Sequence, residues 1–134
     1  MRYSLPVNTV DIRSAPFHQT HTSMKHCIDF AVPIGTPVMA IANGVVLHRE
    51  SRFSKSYRHK KYTDKANYIE ILHADGCVSC YTHLQWRSLK VRIGQKIKRG
   101  QIIALSGNTG YATYPHLHFG LYDKNGNNIP AEFN

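Results

Sequence analysis

The chain has 134 residues, 42% of them hydrophobic, which is enough for one buried core and too few for two ordinary domains, so we expect a single domain over residues 1–134. There is no run of eighteen apolar residues, and residues 1–10 lack the apolar stretch of a signal peptide, so we expect neither a membrane span nor a retained export signal. The 17 Lys and Arg residues exceed the 8 Asp and Glu residues and give a net charge of +9, which favours an anionic partner such as nucleic acid, anionic lipid or an acidic cell envelope.

The short apolar segments predict a β fold. Gly, Pro, Asn and Asp separate stretches that are rich in Val, Ile and Tyr, and no segment keeps a helical apolar period. We therefore expect an all-β, mostly antiparallel domain with few or no helices. Residues 36–48 are interpreted as two strand pieces that bend at Asn43-Gly44, where the asparagine and the glycine would supply the positive φ of a tight turn.

The central part of the chain contains a long basic segment followed by a hairpin. Residues 49–66 include seven Lys or Arg and two acids, and we expect this segment to be an exposed basic loop. Residues 67–73 alternate apolar and polar side chains, Ala74-Asp75-Gly76 is a turn sequence, and residues 77–84 follow as the second strand of the hairpin.

The last part of the chain repeats one short pattern and ends in an apolar strand. Residues 94–97 and 100–103 both begin with Gly-Gln and continue into apolar residues, which suits neighbouring turns of a curled sheet. Residues 106–111 form a glycine-rich loop, and residues 117–122 are predicted to be the strand that closes the domain.

Histidines carry the candidate chemistry. His116 and His118 flank Leu117 on the last predicted strand, and side chains two residues apart on a strand point to the same face. Both imidazoles can therefore converge on one metal ion or one reacting group while Leu117 packs into the core. Asp29 and His83 add a carboxylate and a third imidazole, and these are the groups of which catalytic zinc sites are made.

Five motifs occur in order along the chain. They lie at residues 29–38 (DFAVPIGTPV), 81–84 (YTHL), 91–95 (VxxGQ), 106–110 (SGNTG) and 115–119 (PHLHF). Together they resemble the lysostaphin/LytM-type zinc metalloendopeptidases over about residues 20–121. The resemblance implies a LytM-like fold related to the barrel-sandwich hybrids, a Zn²⁺ cofactor, and hydrolysis of peptide bonds in bacterial peptidoglycan stems or cross-bridges. It also implies a periplasmic, extracellular or cell-wall location.

The resemblance also implies a role for each candidate residue. Such enzymes hold zinc with a His, an Asp and the second His of an H-x-H motif, which gives Asp29 and His118 as metal ligands. The first histidine of that motif and the histidine of the Tyr-x-His-Leu segment act on the catalytic water and the developing oxyanion. These catalytic roles fall to His116 and His83.

One position departs from the commonest pattern of this family. The first zinc ligand usually lies four residues before the aspartate, where this chain has Lys25, whose ammonium cannot coordinate zinc until it loses its proton. The segment around His21 is similar to a variant branch that has a longer spacing before the aspartate. The resemblance therefore favours His21 as the third metal ligand, with His26 and His18 as lesser candidates.

Three alternatives stay open. If the metal is lost at Lys25, a degenerate, metal-free domain of the same fold would bind or activate a cell-wall partner. Asp64-Lys65-Ala66 matches the tripeptide of lipoyl carrier domains, although the glycine-rich strands follow it in the wrong order. Phe53, Tyr57 and Tyr62 lie among the basic residues and permit nucleic-acid binding. We expect instead a monomer whose partners are peptidoglycan peptides and an acidic cell envelope surface, without nucleic acid.

Other cysteines and histidines are expected to have structural or surface positions. Cys77 and Cys80 are three residues apart, so on a strand they face opposite ways and do not form a metal-binding pair. His48 and His59 are expected at the surface, and no chemistry is assigned to His73.

Overall fold

The computed structural model describes residues 3–9, 11–13, 22–57, 59, 61, 65–112 and 114–134. Within these ranges the chain forms short β-strands and a 3-10 turn at Thr22–Met24, without an α-helix. No described helix is long and apolar enough to cross a membrane. The strands are β1 Ile12–Arg13, β2 Ile28–Ala31, β3 Pro37–Met39, β4 Gly44–Glu50, β5 Ser56–Tyr57, β6 Tyr68–His73, β7 Val78–Thr82, β8 Lys96–Ile97, β9 Ile102–Leu105, β10 Gly110–Tyr111, β11 His116–Tyr122 and β12 Asn128–Ile129.

One large sheet dominates the fold. Its strand order is β1-β2-β11-β7-β6-β4-β8, with β12 also paired to β11, and all of these pairs are antiparallel. β3 and β9 form a second antiparallel pair, whereas β5 and β10 run parallel. The predicted all-β, mostly antiparallel fold is therefore confirmed.

The alternation of side chains along β11 separates the core from the opposite face of the sheet. Leu117, Phe119 and Leu121 are at most 2% exposed and belong to the hydrophobic core. Because side chains on a strand alternate, His116 and His118 lie on the other face. Because these alternate residues of β11 are buried in the core, both histidines point to the opposite face of the sheet.

The predicted hairpin is confirmed as β6 and β7. Leu72 pairs with Val78 at the closed end of the hairpin, and the turn between the strands contains Gly76 at a φ of +85°. The Asp75 carboxylate accepts a hydrogen bond from the backbone N–H of Cys77 at 3.0 Å, as in other aspartate turns.

The bend at Asn43-Gly44 occurs where it was predicted, but the predicted backbone geometry is wrong. The two strand pieces are β3 and β4, which belong to different sheets. Neither residue of the bend has a positive φ. A Cβ atom at Gly44 would overlap the backbone oxygen of Leu72, so the glycine is needed for the close approach of β4 to β6.

The repeated Gly-Gln pattern forms the same turn twice. Gly94 and Gly100 have φ values of +85° and +81°. In each copy the side-chain oxygen of the following glutamine, Gln95 or Gln101, accepts a backbone N–H from three residues earlier. The two turns lead into β8 and β9, which lie in different sheets.

The predicted basic loop at residues 49–66 is only partly exposed where it is described, because Arg49 and Glu50 belong to β4 and Ala66 is buried. It is also paired with another segment. Arg52, Lys55, Lys61 and Lys65 are exposed, as expected. Within the same loop, β5 pairs with β10. The loop therefore lies beside the glycine-rich segment that precedes His116.

Candidate active site

Three neighbouring strands bring four of the predicted site residues to one end of the large sheet. β11 lies between β2 and β7, so that His118 is opposite Asp29 on one side and Thr82 on the other. His116 is the next residue on the same face of β11, and His83 follows the last residue of β7. The structure therefore groups residues that are up to 89 positions apart in the chain.

The carboxylate of Asp29 lies at the centre of this group. Asp29 is 2% exposed. Its Oδ1 atom is 3.2 Å from Nδ1 of His118 and 3.5 Å from Nε2 of His116. Its Oδ2 atom accepts a long hydrogen bond of 3.4 Å from the Tyr114 hydroxyl. Two imidazoles and a phenol thus surround one buried carboxylate.

His83 has an uncommon backbone conformation. Its φ of 67° lies in the left-handed region, which costs a residue with a side chain about 1–3 kcal/mol. The glycine-rich loop holds it there, because His83 Nδ1 donates to the backbone oxygen of Thr109 at 2.5 Å. The N–H of Gly107 also donates to the backbone oxygen of His83 at 2.9 Å. Both the ring and the backbone of His83 are therefore fixed by one loop.

His83 and His116 share one pattern of protonation. His116 Nδ1 donates to the backbone oxygen of Tyr114 at 2.8 Å, as His83 Nδ1 does to Thr109. A carbonyl oxygen only accepts hydrogen bonds, so each neutral ring carries its proton on Nδ1 and has a lone pair on Nε2. The two rings meet edge to face with their centroids 4.7 Å apart.

The three histidines differ in pKa, because only His118 has hydrogen bonds that outweigh the effect of burial. Burial, together with the neighbouring histidines, lowers the pKa of His83 to about 3. Burial also lowers the pKa of His116, although the charge of Asp29 opposes this effect. For His118, burial favours a lower pKa, but hydrogen bonds to Asp29 and Cys27 outweigh burial and raise the pKa to about 9. Two neutral imidazoles therefore lie beside a His118 ring whose proton is stabilised by Asp29, and a metal ion bound at Nδ1 would take the place of that proton.

The chemistry of this group suits a bound cation. With its proton on Nδ1, His116 directs a lone pair toward another acceptor, Oδ1 of Asp29, and two acceptors favour a positive charge between them. Imidazole nitrogen and carboxylate oxygen are zinc-binding atoms, and two ligands of one tetrahedral zinc ion lie about 3.3 Å apart. His118 Nδ1 and Asp29 Oδ1 are 3.2 Å apart, which fits this value. In the described part of the chain, however, no three His, Cys, Asp or Glu side chains are arranged as a metal site.

The expected third ligand lies outside the described residues. His21, and also the lesser candidate His18, fall in the ranges that the structure does not describe. His26 and Lys25 are described and exposed. The backbone N–H of His26 donates to Asn128 at 2.6 Å, but neither side chain hydrogen-bonds to a described residue. His21 therefore stays a prediction.

Tyr114 is a residue of the site that sequence reasoning missed. Its ring stacks on His116 with centroids 4.6 Å apart, and its hydroxyl contacts Asp29. The available signal was its position two residues before His116, because residues that lead into a site-bearing strand lie at the edge of the site.

A buried asparagine was also missed. Asn67 is fully buried, and its side-chain amide bonds to both backbone groups of Phe53 and to the backbone oxygen of Leu84. Its backbone N–H donates to the Thr109 hydroxyl at 3.2 Å. Asn67 therefore connects the basic loop, the residue after His83 and the glycine-rich loop.

Two histidines and two cysteines that were assigned no chemistry lie outside this group. His48 and His59 are exposed, as expected. Cys77 and Cys80 are free thiols. Burial raises the pKa of Cys80 to about 12, which keeps this thiol protonated at neutral pH.

Comparisons with known proteins agree with this geometry. A model of the family described as Peptidase family M23 matches residues 23–130. The chain is 44% identical over 93 residues to the peptidoglycan DD-endopeptidase ShyA of Vibrio cholerae serotype O1, which covers 69% of this chain and 19% of that protein. The chain spans about a fifth of the length of the curated relatives it matches.

Two solved structures show the same fold. The catalytic domain of the antimicrobial peptidase lysostaphin from Staphylococcus simulans matches with a TM-score of 0.64 and 32% identity, covering 80% of this chain and 75% of that chain. A zinc containing peptidase from Vibrio cholerae matches with a TM-score of 0.69 and 29% identity, covering 96% of this chain and 39% of that chain.

Proposed function

Because the chain belongs to peptidase family M23, we propose that it is a zinc-dependent endopeptidase that hydrolyses peptide bonds in the stems or cross-bridges of bacterial peptidoglycan. The observation that carries this proposal is the buried carboxylate of Asp29 with His116 and His118 beside it, and with His83 packed against His116. The substrate class is supported by the relative named as a peptidoglycan DD-endopeptidase. Such a substrate places the enzyme in the periplasm, at the cell wall or outside the cell, and the exposed cations of the basic loop suit an acidic envelope surface.

Asp29 and His118 are the two proposed zinc ligands in the described part of the chain. The separation of their ligand atoms fits one tetrahedral ion, and the Asp29 carboxylate is already buried, so little further desolvation opposes binding. His21 is the proposed third ligand. When bound, zinc polarises the scissile carbonyl group and makes a water molecule more acidic.

His83 and His116 are proposed to act on the reacting atoms. Each is neutral at pH 7, because burial lowers its pKa, and each has its proton fixed on Nδ1 by a backbone oxygen. The lone pair on Nε2 is therefore available to accept the proton of the attacking water. The protonated ring then donates a hydrogen bond to the oxyanion or a proton to the leaving amine.

The test combines metal analysis with digestion of defined muropeptides. The purified protein is expected to hold about one Zn²⁺ per chain and to cleave a peptide bond, and a chelator should abolish cleavage until zinc is restored. A well-folded protein that cleaves without metal contradicts the proposal. A folded protein that lacks both zinc and activity, yet binds cell walls, would support the degenerate domain instead.

Three variants of one segment test the ligand assignment. His21→Ala is expected to lose both zinc and activity, because catalytic zinc normally keeps three protein ligands. His26→Ala and Lys25→Ala are the matched controls, since both residues are exposed and should retain zinc and activity. Loss of zinc in His26→Ala with retention in His21→Ala would transfer the ligand role to His26.

A further inference from the structure

Tyr114 makes three contacts with the proposed reaction centre. Its hydroxyl lies 3.4 Å from Oδ2 of Asp29, its ring stacks on His116 with centroids 4.6 Å apart, and its backbone oxygen accepts the Nδ1 proton of His116 at 2.8 Å. We propose that Tyr114 is a positioning residue, which holds the Asp29 carboxylate and the His116 ring in the orientation needed for metal binding and proton transfer. This inference rests on the proposed function.

The Tyr114 hydroxyl restrains the carboxylate at Oδ2, the oxygen opposite the one that His116 and His118 contact. Oδ1 of Asp29 faces His118 and His116, whereas Oδ2 faces the phenol. A hydrogen bond at Oδ2 opposes rotation of the carboxylate, which would move Oδ1 away from the two imidazoles. Loss of a hydrogen-bond partner of a metal ligand typically lowers metal affinity or activity by about 10- to 100-fold.

A segment outside the family match supports the tyrosine ring. The guanidinium of Arg13 lies 5.1 Å from the centre of the Tyr114 ring, within the range of a cation–π contact. Arg13 is itself held by two hydrogen bonds of 3.0 Å to Asp11, and it lies opposite Asp29 in the pairing of β1 with β2. β1 precedes residues 23–130, the part of the chain that the family model matches.

The alternative is that Tyr114 only fills space beside His116. Tyr114 is half-buried, so its ring alone contributes packing. Replacement by phenylalanine keeps the ring and the backbone oxygen, and it removes only the hydroxyl from Asp29. A space-filling role therefore predicts no change in zinc affinity, whereas a positioning role predicts a clear loss.

The experiment measures zinc affinity by competition with a chelator in wild type and in Tyr114→Phe. Tyr114→Phe is expected to weaken zinc binding about 10- to 100-fold and to leave the melting temperature of the metal-free protein unchanged. At saturating zinc, kcat for a soluble muropeptide should fall while KM stays the same. Tyr3→Phe is the matched control, because it removes a 2.6 Å tyrosine–aspartate hydrogen bond to Asp75, at the turn between β6 and β7.

The outcomes separate this inference from the proposed function. Zinc affinity of Tyr114→Phe within about threefold of wild type overturns the positioning role while the zinc enzyme stands. Equal losses in Tyr114→Phe and Tyr3→Phe also overturn it, because the effect would then be general destabilisation. A wild-type protein that binds no zinc refutes the proposed function, and the positioning role with it.

Discussion

One buried histidine lies at one end of β7, and two lie at the other end. His73, at the end of β6, contacts Ser79 near the start of β7, and His83 follows the last residue of β7 and meets His116. His73, His83 and His116 are 3%, 7% and 5% exposed, and burial lowers the pKa of all three. Burial and pKa therefore do not distinguish the two groups.

The hydrogen bonds of the ring nitrogens do distinguish them. His73 Nδ1 lies 2.7 Å from the backbone oxygen of Asn43, and its Nε2 lies 2.8 Å from the Ser79 hydroxyl. The chain of hydrogen bonds continues to the Tyr81 hydroxyl, which accepts the backbone N–H of Ile41 at 3.1 Å. Both nitrogens of His73 are thus used inside the protein, in a network that has no place for a ligand.

The histidines at the other end of β7 use only one nitrogen in this way. His83 and His116 bind backbone oxygens through Nδ1, and His83 Nε2 has no hydrogen bond to a described residue. Nε2 of His116 faces the carboxylate of Asp29. A buried histidine that keeps one nitrogen for a reacting group is a better functional candidate than one with two satisfied nitrogens.

The largest effect is expected when His83 or His116, the histidines that keep Nε2 for a reacting group, is replaced. His83→Ala and His116→Ala should lower kcat/KM for a soluble muropeptide by about 10²- to 10⁴-fold, because proton transfer is lost. Bound zinc should remain at about one per chain, since neither histidine is a proposed ligand. Loss of metal in His116→Ala would exchange the roles of the two histidines in the H-x-H motif.

His73→Ala is expected to show the opposite behaviour. It removes the hydrogen bonds of the ring to the Asn43 carbonyl oxygen and to the Ser79 hydroxyl, which keeps only its bond to Tyr81, and this should lower the free energy of unfolding by about 3 kcal/mol. Activity per folded molecule should stay unchanged. Urea unfolding and muropeptide turnover measure the two quantities, and a loss of turnover without a loss of stability would place His73 in the catalytic machinery.

The pH dependence of stability gives a second measurement on His73. Burial lowers its pKa in the folded state, although the Asn43 oxygen and the charge of Asp75 oppose this effect. The unfolded state, with a histidine pKa near 6.5, then binds more protons in acid, so stability is lost as the pH falls below about 6.5. His83 and His116 act with the same sign and remain in His73→Ala, so a shallower acid slope in this variant isolates the His73 contribution.

Part of this arrangement could be predicted because it depends on local patterns. The spacing of His116 and His118 around Leu117 fixes their shared face once Leu117 enters the core. The sequence of the hairpin turn fixes the register that places His83 just beyond β7. The ordered motifs then gave Asp29 its role as a metal ligand, through resemblance to a family and not through spacing.

The rest depends on contacts between distant segments. The left-handed φ of His83 is held by Thr109, 26 residues away, and the contact of Tyr114 with Asp29 joins residues 85 positions apart. Gly44 looked like a turn glycine because its reason, the close approach of Leu72, lies on another strand. His73 looked unremarkable for the same reason, since its two partners come from other segments.

The smallest effect is expected from Tyr81→Phe, which tests whether the two ends of β7 are independent. The change removes the hydroxyl that joins Ser79 to the backbone N–H of Ile41, and it should lower the free energy of unfolding by about 1 kcal/mol. The ring keeps its edge-to-face contact with Phe119, whose centroid is 5.5 Å away, so no cavity forms. Zinc content and muropeptide turnover should match wild type, because among the described residues no hydrogen bond joins the His73 network to His83 or His116. A fall in turnover at unchanged stability would mean that β7 transmits changes from one histidine group to the other.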